Sequence, residues 1–376
     1  MNKLIICIIL SLLISSCSEN YQSKIHPNLE NLPNPKRENE HIVDENSDNS
    51  LNFDFSMDKY TLSGLIGEDK NIGFIKDVEV DKRGRVFLLD ERQQRVLVYN
   101  SEGDFLQAVG RRGQGPGELN YAKSIALYQD SLLLISNRYR IEEYNISGDS
   151  IEFNRTVNFE INIKSICTDQ EILYVHNVDI LSSGLMNSDS RKAKMLNKFT
   201  IPEYENQLTF GESYISDSPV IIDRLTQGEI ICDASNDMLV YVSDRVNNMK
   251  GYSLSSGKQV WKSSIAGLNF PIIEEIVADG KPGLQIAPPE NGIFDNMLKP
   301  LLINDGIILL QIDRREINNQ ESLESNSSVL SYLIDIKTGR GQYYSDKLEK
   351  IIHLYGNRFL KINDAFTKLE IYKKEQ

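Results

Sequence analysis

Six strand-like segments of this sequence close on an aspartate or an asparagine: Asp90, Asn137, Asn177, Asp244, Asp313 and Asn363. Arginines follow in four of the six places, as Arg92, as Arg138 and Arg140, as Arg245, and as Arg314 and Arg315. Another pair, Arg111 and Arg112, lies in a Gly-rich run. A guanidinium is planar, permanently charged and presents a fork of N–H donors, so it suits two-point recognition of carboxylate, sulfate or phosphate. Gathered on one face, these arginines would form an anion-binding surface for an acidic glycan or a partner's carboxylates. The rival expectation is structural. Asx side chains bond nearby backbone N–H groups and start turns, and each Arg would then pair with the Asx of its own or the next segment.

Other chemistry finds little support. Residues 110–117 are Gly-rich and basic, as a phosphate cradle would be, but lack the Lys-Ser/Thr ending of a P-loop and a helix to follow. The run reads better as a tight connection. No Gly-x-Ser-x-Gly elbow is present. The histidines are His26, His41, His176 and His353, without metal-ligand spacing, so no metal, no cofactor and no catalytic residue is expected. An enzyme of lyase, hydrolase or lactonase type, acting on a glycan or small ester, is the alternative, and it would have to use Asp90, Asp244 and Asp313. Trp261, the single Trp, reads as packing.

The N-terminus points to a compartment. Lys3 precedes an apolar run at residues 4–14, too short to span a bilayer comfortably. The run ends in Ile14-Ser15-Ser16-Cys17, which resembles the bacterial lipobox. The resemblance implies a lipoprotein signal peptide at 1–17 whose Cys17 is lipidated with several acyl chains, enough for stable anchoring. Ser18, rather than Asp, favours the outer membrane of the cell envelope. Residues 18–50 hold Pro27, Pro33 and Pro35 among Ser, Asn, Glu and Asp, and read as a disordered tether. With a net charge of −13 and no basic run, nucleic acid is excluded as a partner. The membrane, a glycan or an envelope protein are the expected partners. Cys167 and Cys232 would either pair in an oxidising envelope or sit as small buried apolar groups.

What must position these residues is a repeat. Residues 75–110 read strand, turn, strand, loop, strand, hairpin, strand, with Gly84 and Gly103 in the turns. The same grammar returns over 124–155, 229–265 and 301–344, more loosely over 164–214, and incompletely over 351–372, which stops one strand short. Residues 53–66 offer an unpartnered strand to complete it. The expectation is therefore an all-β, six-bladed β-propeller over 51–376, its last blade closed by the N-terminal strand, which removes exposed edges. Insertions fall near 178–193 and 268–300; the second, Pro-rich, would cap a face or form an interface. Residues 72–119 resemble an NHL repeat, and the layout resembles six-bladed β-propeller lipoproteins of Gram-negative gut-type bacteria. That resemblance implies fold and location. Together these features favour a non-enzymatic binding scaffold.

Overall fold

Val86–Asp90 shows how the sequence makes a blade. All five residues are buried, because the strand sits inside a sheet stacked against a sheet on either side. Turns at Gly84 and Gly103, with φ of 78° and 94°, bound the strand and its neighbour; an L side chain rarely adopts this backbone. The computed structural model describes residues 24–25, 37–47, 51, 53, 55, 59–67, 71–169, 171–177, 194–214, 219–278, 281–287, 289, 291–303, 306–317 and 325–375.

Six antiparallel sheets follow in chain order. From the inner strand outward, blade 1 is Ile75–Val80, Val86–Asp90, Arg95–Tyr99 and Phe105–Val109. Blade 2 is Ala122–Tyr128, Leu132–Asn137, Arg140–Ser147 and Ser150–Asn158. Blade 3 is Ile163–Asp169, Ile172–Asn177, Lys194–Thr200 and Asn206–Glu212. Blade 4 is Gly228–Asp233, Met238–Ser243, Met249–Ser253 and Gln259–Ile265. Blade 5 is Ile293–Met297 with Leu301–Leu302, then Ile307–Ile317, Ser325–Asp335 and Gly341–Ser345. Blade 6 is Ile351–Tyr355, Arg358–Ile362 and Leu369–Lys374, and its fourth strand is Tyr60–Ile66. Ile66 faces Leu369 and Gly64 faces Ile371, so the early strand closes the ring as expected.

The core is divided among the blade interfaces. Phe87 and Leu89 of blade 1 meet Ile125 and Leu133 of blade 2. Comparable clusters join blades 2 and 3, 3 and 4, 4 and 5, 5 and 6, and 6 and 1. Trp261 is 1% exposed between blades 4 and 5, where its indole N–H donates to the Ile336 carbonyl at 2.8 Å. It packs, as its isolation in the sequence suggested.

Polar stitches run round the inner strands. The Asp77 carboxylate accepts from the Ile125 N–H and the Ser124 hydroxyl of blade 2. Ser124 in turn accepts from Ile166 N–H, Ser165 from Ile230 N–H, and the Gln311 amide oxygen from Ile351 N–H. Cys167 and Cys232 are disulfide-bonded between the inner strands of blades 3 and 4.

Three expectations need correcting. The tether expected over 18–50 is not free throughout: Glu40–Val43 pairs in parallel with the outer strand of blade 4. Val43 is buried against Trp261 and Ile334, which supplies the hydrophobic reason. The 268–300 insertion is partly blade: Ile272–Ala278 and Lys281–Ala287 form a hairpin with Lys24–Ile25 at its edge, but Ile293–Met297 is the inner strand of blade 5. The second strand of that blade does not end at Asp313 but continues to Ile317. The signal segment, Cys17 and the insertion at 178–193 lie outside the described residues. No helix among the described residues is long and apolar enough to cross a membrane.

Candidate anion-binding face

Each blade begins at the face that carries the blade-to-blade connections, and there the strand-ending Asx residues do structural work. The buried Asp90 carboxylate accepts from the N–H groups of Gly73, Phe74 and Gln93. Asn137 does the same for the next connection, accepting from Asn120 N–H at 2.7 Å and donating to the Glu118 carbonyl at 2.9 Å. Asn177 accepts from the Asn197 side chain, and Asn363 binds Thr367 and Lys368 N–H in its own hairpin. Asp244 and Asp313 differ, since both line a cavity of about 460 Å³ at this mouth of the central channel. Burial pushes the Asp244 carboxyl above its usual pKa, against the pull of Arg245.

The Gly-rich run at 110–117 is a connection closed on itself. Glu118 accepts from Gly115 N–H and from Arg111 Nε, both at 2.9 Å, and these bonds hold its carboxyl below the usual range. A loop whose N–H is taken by its own carboxylate is not a phosphate cradle.

The eight arginines of interest divide into two groups. Arg140 donates to the Gln114 and Glu118 carbonyls and pairs with buried Glu142 at 2.6 Å. Arg111 pairs with Glu118, Arg245 with Asp244 and the Gln227 side chain, Arg314 with both oxygens of Asp295, and Arg315 with Asp313. Arg140, Arg314 and Arg315 also lie within strands rather than loops. Arg92, Arg112 and Arg138 are the other group. Among the described residues none of these three pairs with a carboxylate.

Those three arginines gather around Tyr121. The Arg92 stem lies over Gly73, where a Cβ would meet its side-chain carbons at 2.6–2.9 Å. Arg112 donates to the Arg92 carbonyl. With Phe74, Gln94, Asn120 and Tyr121 they line a cavity of about 500 Å³. Its acid, Glu91, is paired with Lys123. On the far side of Tyr121 a second cavity of about 290 Å³ is lined by Arg138, Lys123, Lys164 and Asn162. Arg138 stacks over Tyr121 and Tyr139, its guanidinium carbon 5.5 and 5.2 Å from the ring centres. Tyr121 is 56% exposed and has φ of 74°; Arg138 and Gln94 also have positive φ.

Sequence reasoning passed over Tyr121, Phe74, Lys76, Lys123, Lys164 and Lys299. A signal for three of these is visible in retrospect. Lys76-Asp77-Val78, Lys123-Ser124-Ile125 and Lys164-Ser165-Ile166 repeat a lysine before a small polar and a β-branched residue, once per blade. Each lies in an inner strand where the register shifts. A bulge of this kind re-aims a side chain.

In the channel, Lys299 binds Asp77 at 2.5 Å and Glu79 at 3.0 Å. Burial alone would lower its pKa, but the two carboxylates outweigh it and hold the ammonium well above normal. Lys299 lines both the 460 Å³ mouth and a cavity of about 240 Å³ farther along, so this charge cluster divides the channel. Among the described residues no three His, Cys, Asp or Glu side chains gather as a metal site would require.

A family model described as a 6-bladed beta-propeller matches residues 33–215. Among solved structures, a Bacteroides fragilis protein whose name marks it as a candidate for export aligns with TM-score 0.51 at 13% identity, over 89% of this chain and 100% of that one. A member of the duf4221 family from Bacteroides vulgatus aligns with TM-score 0.51 at 11% identity, over 85% and 100%. At this identity the likeness is one of fold. A virginiamycin B lyase from Staphylococcus aureus aligns with TM-score 0.46 at 11% identity, over 84% and 100%, too distant to bear on activity. No similar protein was found among curated sequences.

Proposed function

We propose that this six-bladed propeller is a non-enzymatic binding scaffold of the cell envelope, held to the outer membrane by lipid on Cys17, whose connection face captures an anionic ligand. One observation carries the reading. In a chain of net charge −13, Arg92, Arg112 and Arg138 converge on an exposed tyrosine without a carboxylate partner among the described residues. Charges of one sign lining a concave surface raise the local concentration of the opposite ion. Guanidinium groups supply directional donors for it.

The scaffold suits this role. The stitches and the six inter-blade cores make a rigid rim, and function is carried by the connections rather than by the sheets. The test is calorimetric titration of the full chain in detergent with heparin and with neutral dextran. Heparin binds and weakens with added salt, dextran does not, and the combined Arg92→Ala, Arg112→Ala, Arg138→Ala variant loses heparin with an unchanged melting temperature. A triple variant that binds heparin as the parent does would contradict the reading.

A further inference from the structure

We infer that the ligand of this face is an acidic oligosaccharide whose acidic sugars occupy the two cationic compartments on either side of Tyr121, with sugar rings stacked on Phe74 and Tyr121. This rests on the anion-binding reading above and deepens it. The three cavities on the connection face are not independent. Phe74 lines both the channel mouth and the 500 Å³ cavity, and Tyr121 lines both the 500 and the 290 Å³ cavities. An aromatic ring therefore stands at each partition. Both rings are exposed, at 36% and 56%. Phe74 is braced by stacking on Phe366, ring centres 5.3 Å apart, and Tyr121 by Arg138.

The two compartments on either side of Tyr121 share a composition that the channel mouth lacks. Each of these two holds one asparagine, Asn120 or Asn162, and cations, Arg92 and Arg112 in one and Arg138 and Lys164 in the other, whereas at the channel mouth Lys76 is paired with Glu229 and Arg315 with Asp313, and Asp244 and Asp364 also line the wall. A repeating wall of cation, amide and aromatic edge matches a repeating ligand. A sugar ring offers an apolar C–H face to an aromatic, hydroxyls to an amide, and in an acidic sugar a carboxylate or sulfate to a guanidinium. A lone phosphate or carboxylate would use the cations and leave the two aromatic partitions without purpose.

Backbone strain points to the same place. Tyr121, with φ of 74°, and Arg138, with φ of 63°, keep left-handed conformations that bulky side chains avoid. Strain of this kind persists where the surroundings enforce it, commonly at ligand clamps. Here it sets a ring upright between two cationic hollows.

The experiment is calorimetry on the full chain with galacturonic acid, its trimer, the methyl-esterified trimer, a sulfated heparin trisaccharide and poly-glutamate. At least one acidic trimer binds ten-fold or more tighter than the monosaccharide, esterification abolishes galacturonate binding, and Phe74→Ala and Tyr121→Ala each weaken the trimer about ten-fold. Trimer affinity equal to that of the monosaccharide, or poly-glutamate binding as tightly and unaffected by Tyr121→Ala, overturns the oligosaccharide inference while leaving the anion-binding reading intact. Failure of every acidic compound overturns both.

Discussion

The Arg138 guanidinium lies 5.5 Å from the centre of the Tyr121 ring, and each of the two residues holds a left-handed backbone. They come from different parts of blade 2, Tyr121 from the connection that enters it and Arg138 from the loop after its second strand. The stack thus joins two loops on one rim. It also separates the two cationic hollows.

This arrangement trades stability for shape. Left-handed backbone costs a non-glycine residue about 1–2 kcal/mol, and glycine gives back part of that through its freer unfolded chain. Tyr121→Gly should therefore stabilise the fold by about 1 kcal/mol, raising the melting temperature by about 2 °C, while heparin binding weakens. Differential scanning calorimetry beside a titration checks both. A lower melting temperature would mean that the Tyr121 ring contributes more by packing than its backbone costs.

The channel cluster makes a second prediction. Lys299→Met leaves Asp77 and Glu79 facing each other without their ammonium, and removal of one partner from a buried ion pair costs about 3–5 kcal/mol. Burial already raises the Glu79 pKa. Without Lys299 the Glu79 carboxyl protonates more readily in the folded protein, so the deficit shrinks as the pH falls from 8 towards 5. Urea unfolding of both proteins across that range measures it, and a deficit constant with pH would contradict the account.

His176 provides a pH prediction of the opposite sign. It is fully buried beside Tyr241, and burial, reinforced by the positive charge of Lys164, lowers its pKa to about 3. An unfolded chain with a histidine near 6.5 binds more protons than the native state between those limits, so native stability falls as the pH drops through that window. The loss from this residue reaches about 3 kcal/mol by pH 4.5. His176→Leu removes the contribution, and the difference between the two unfolding curves at pH 7.5 and 4.5 isolates it from the carboxylates common to both. Parallel curves would show that His176 is not held neutral.

Much of the ring was legible because local chemistry enforced it. Gly84 and Gly103 marked turns that do need positive φ, and the one missing strand of the last repeat is supplied by Tyr60–Ile66. What hid was long-range or without its usual residue type. Parallel pairing of Glu40–Val43 with Gln259–Ile265 spans over 200 residues and leaves no local signature beyond two aliphatic side chains. Tyr121 takes a left-handed backbone with neither Gly nor Asn to announce it. Of the arginines singled out by spacing, sequence could not pair Arg314 with Asp295, because that partner is set by register across a sheet, whereas Arg140 with Glu142 and Arg315 with Asp313 lie two residues apart on one strand.

Hydrogen exchange of the full chain with and without a heparin oligosaccharide tests the central claim most directly, because it locates the ligand as well as detecting it. The account predicts added protection at residues 91–94, 111–121 and 137–140, with the outer hairpins unchanged. Protection confined to the opposite end of the channel, near Cys167 and Cys232, would contradict it.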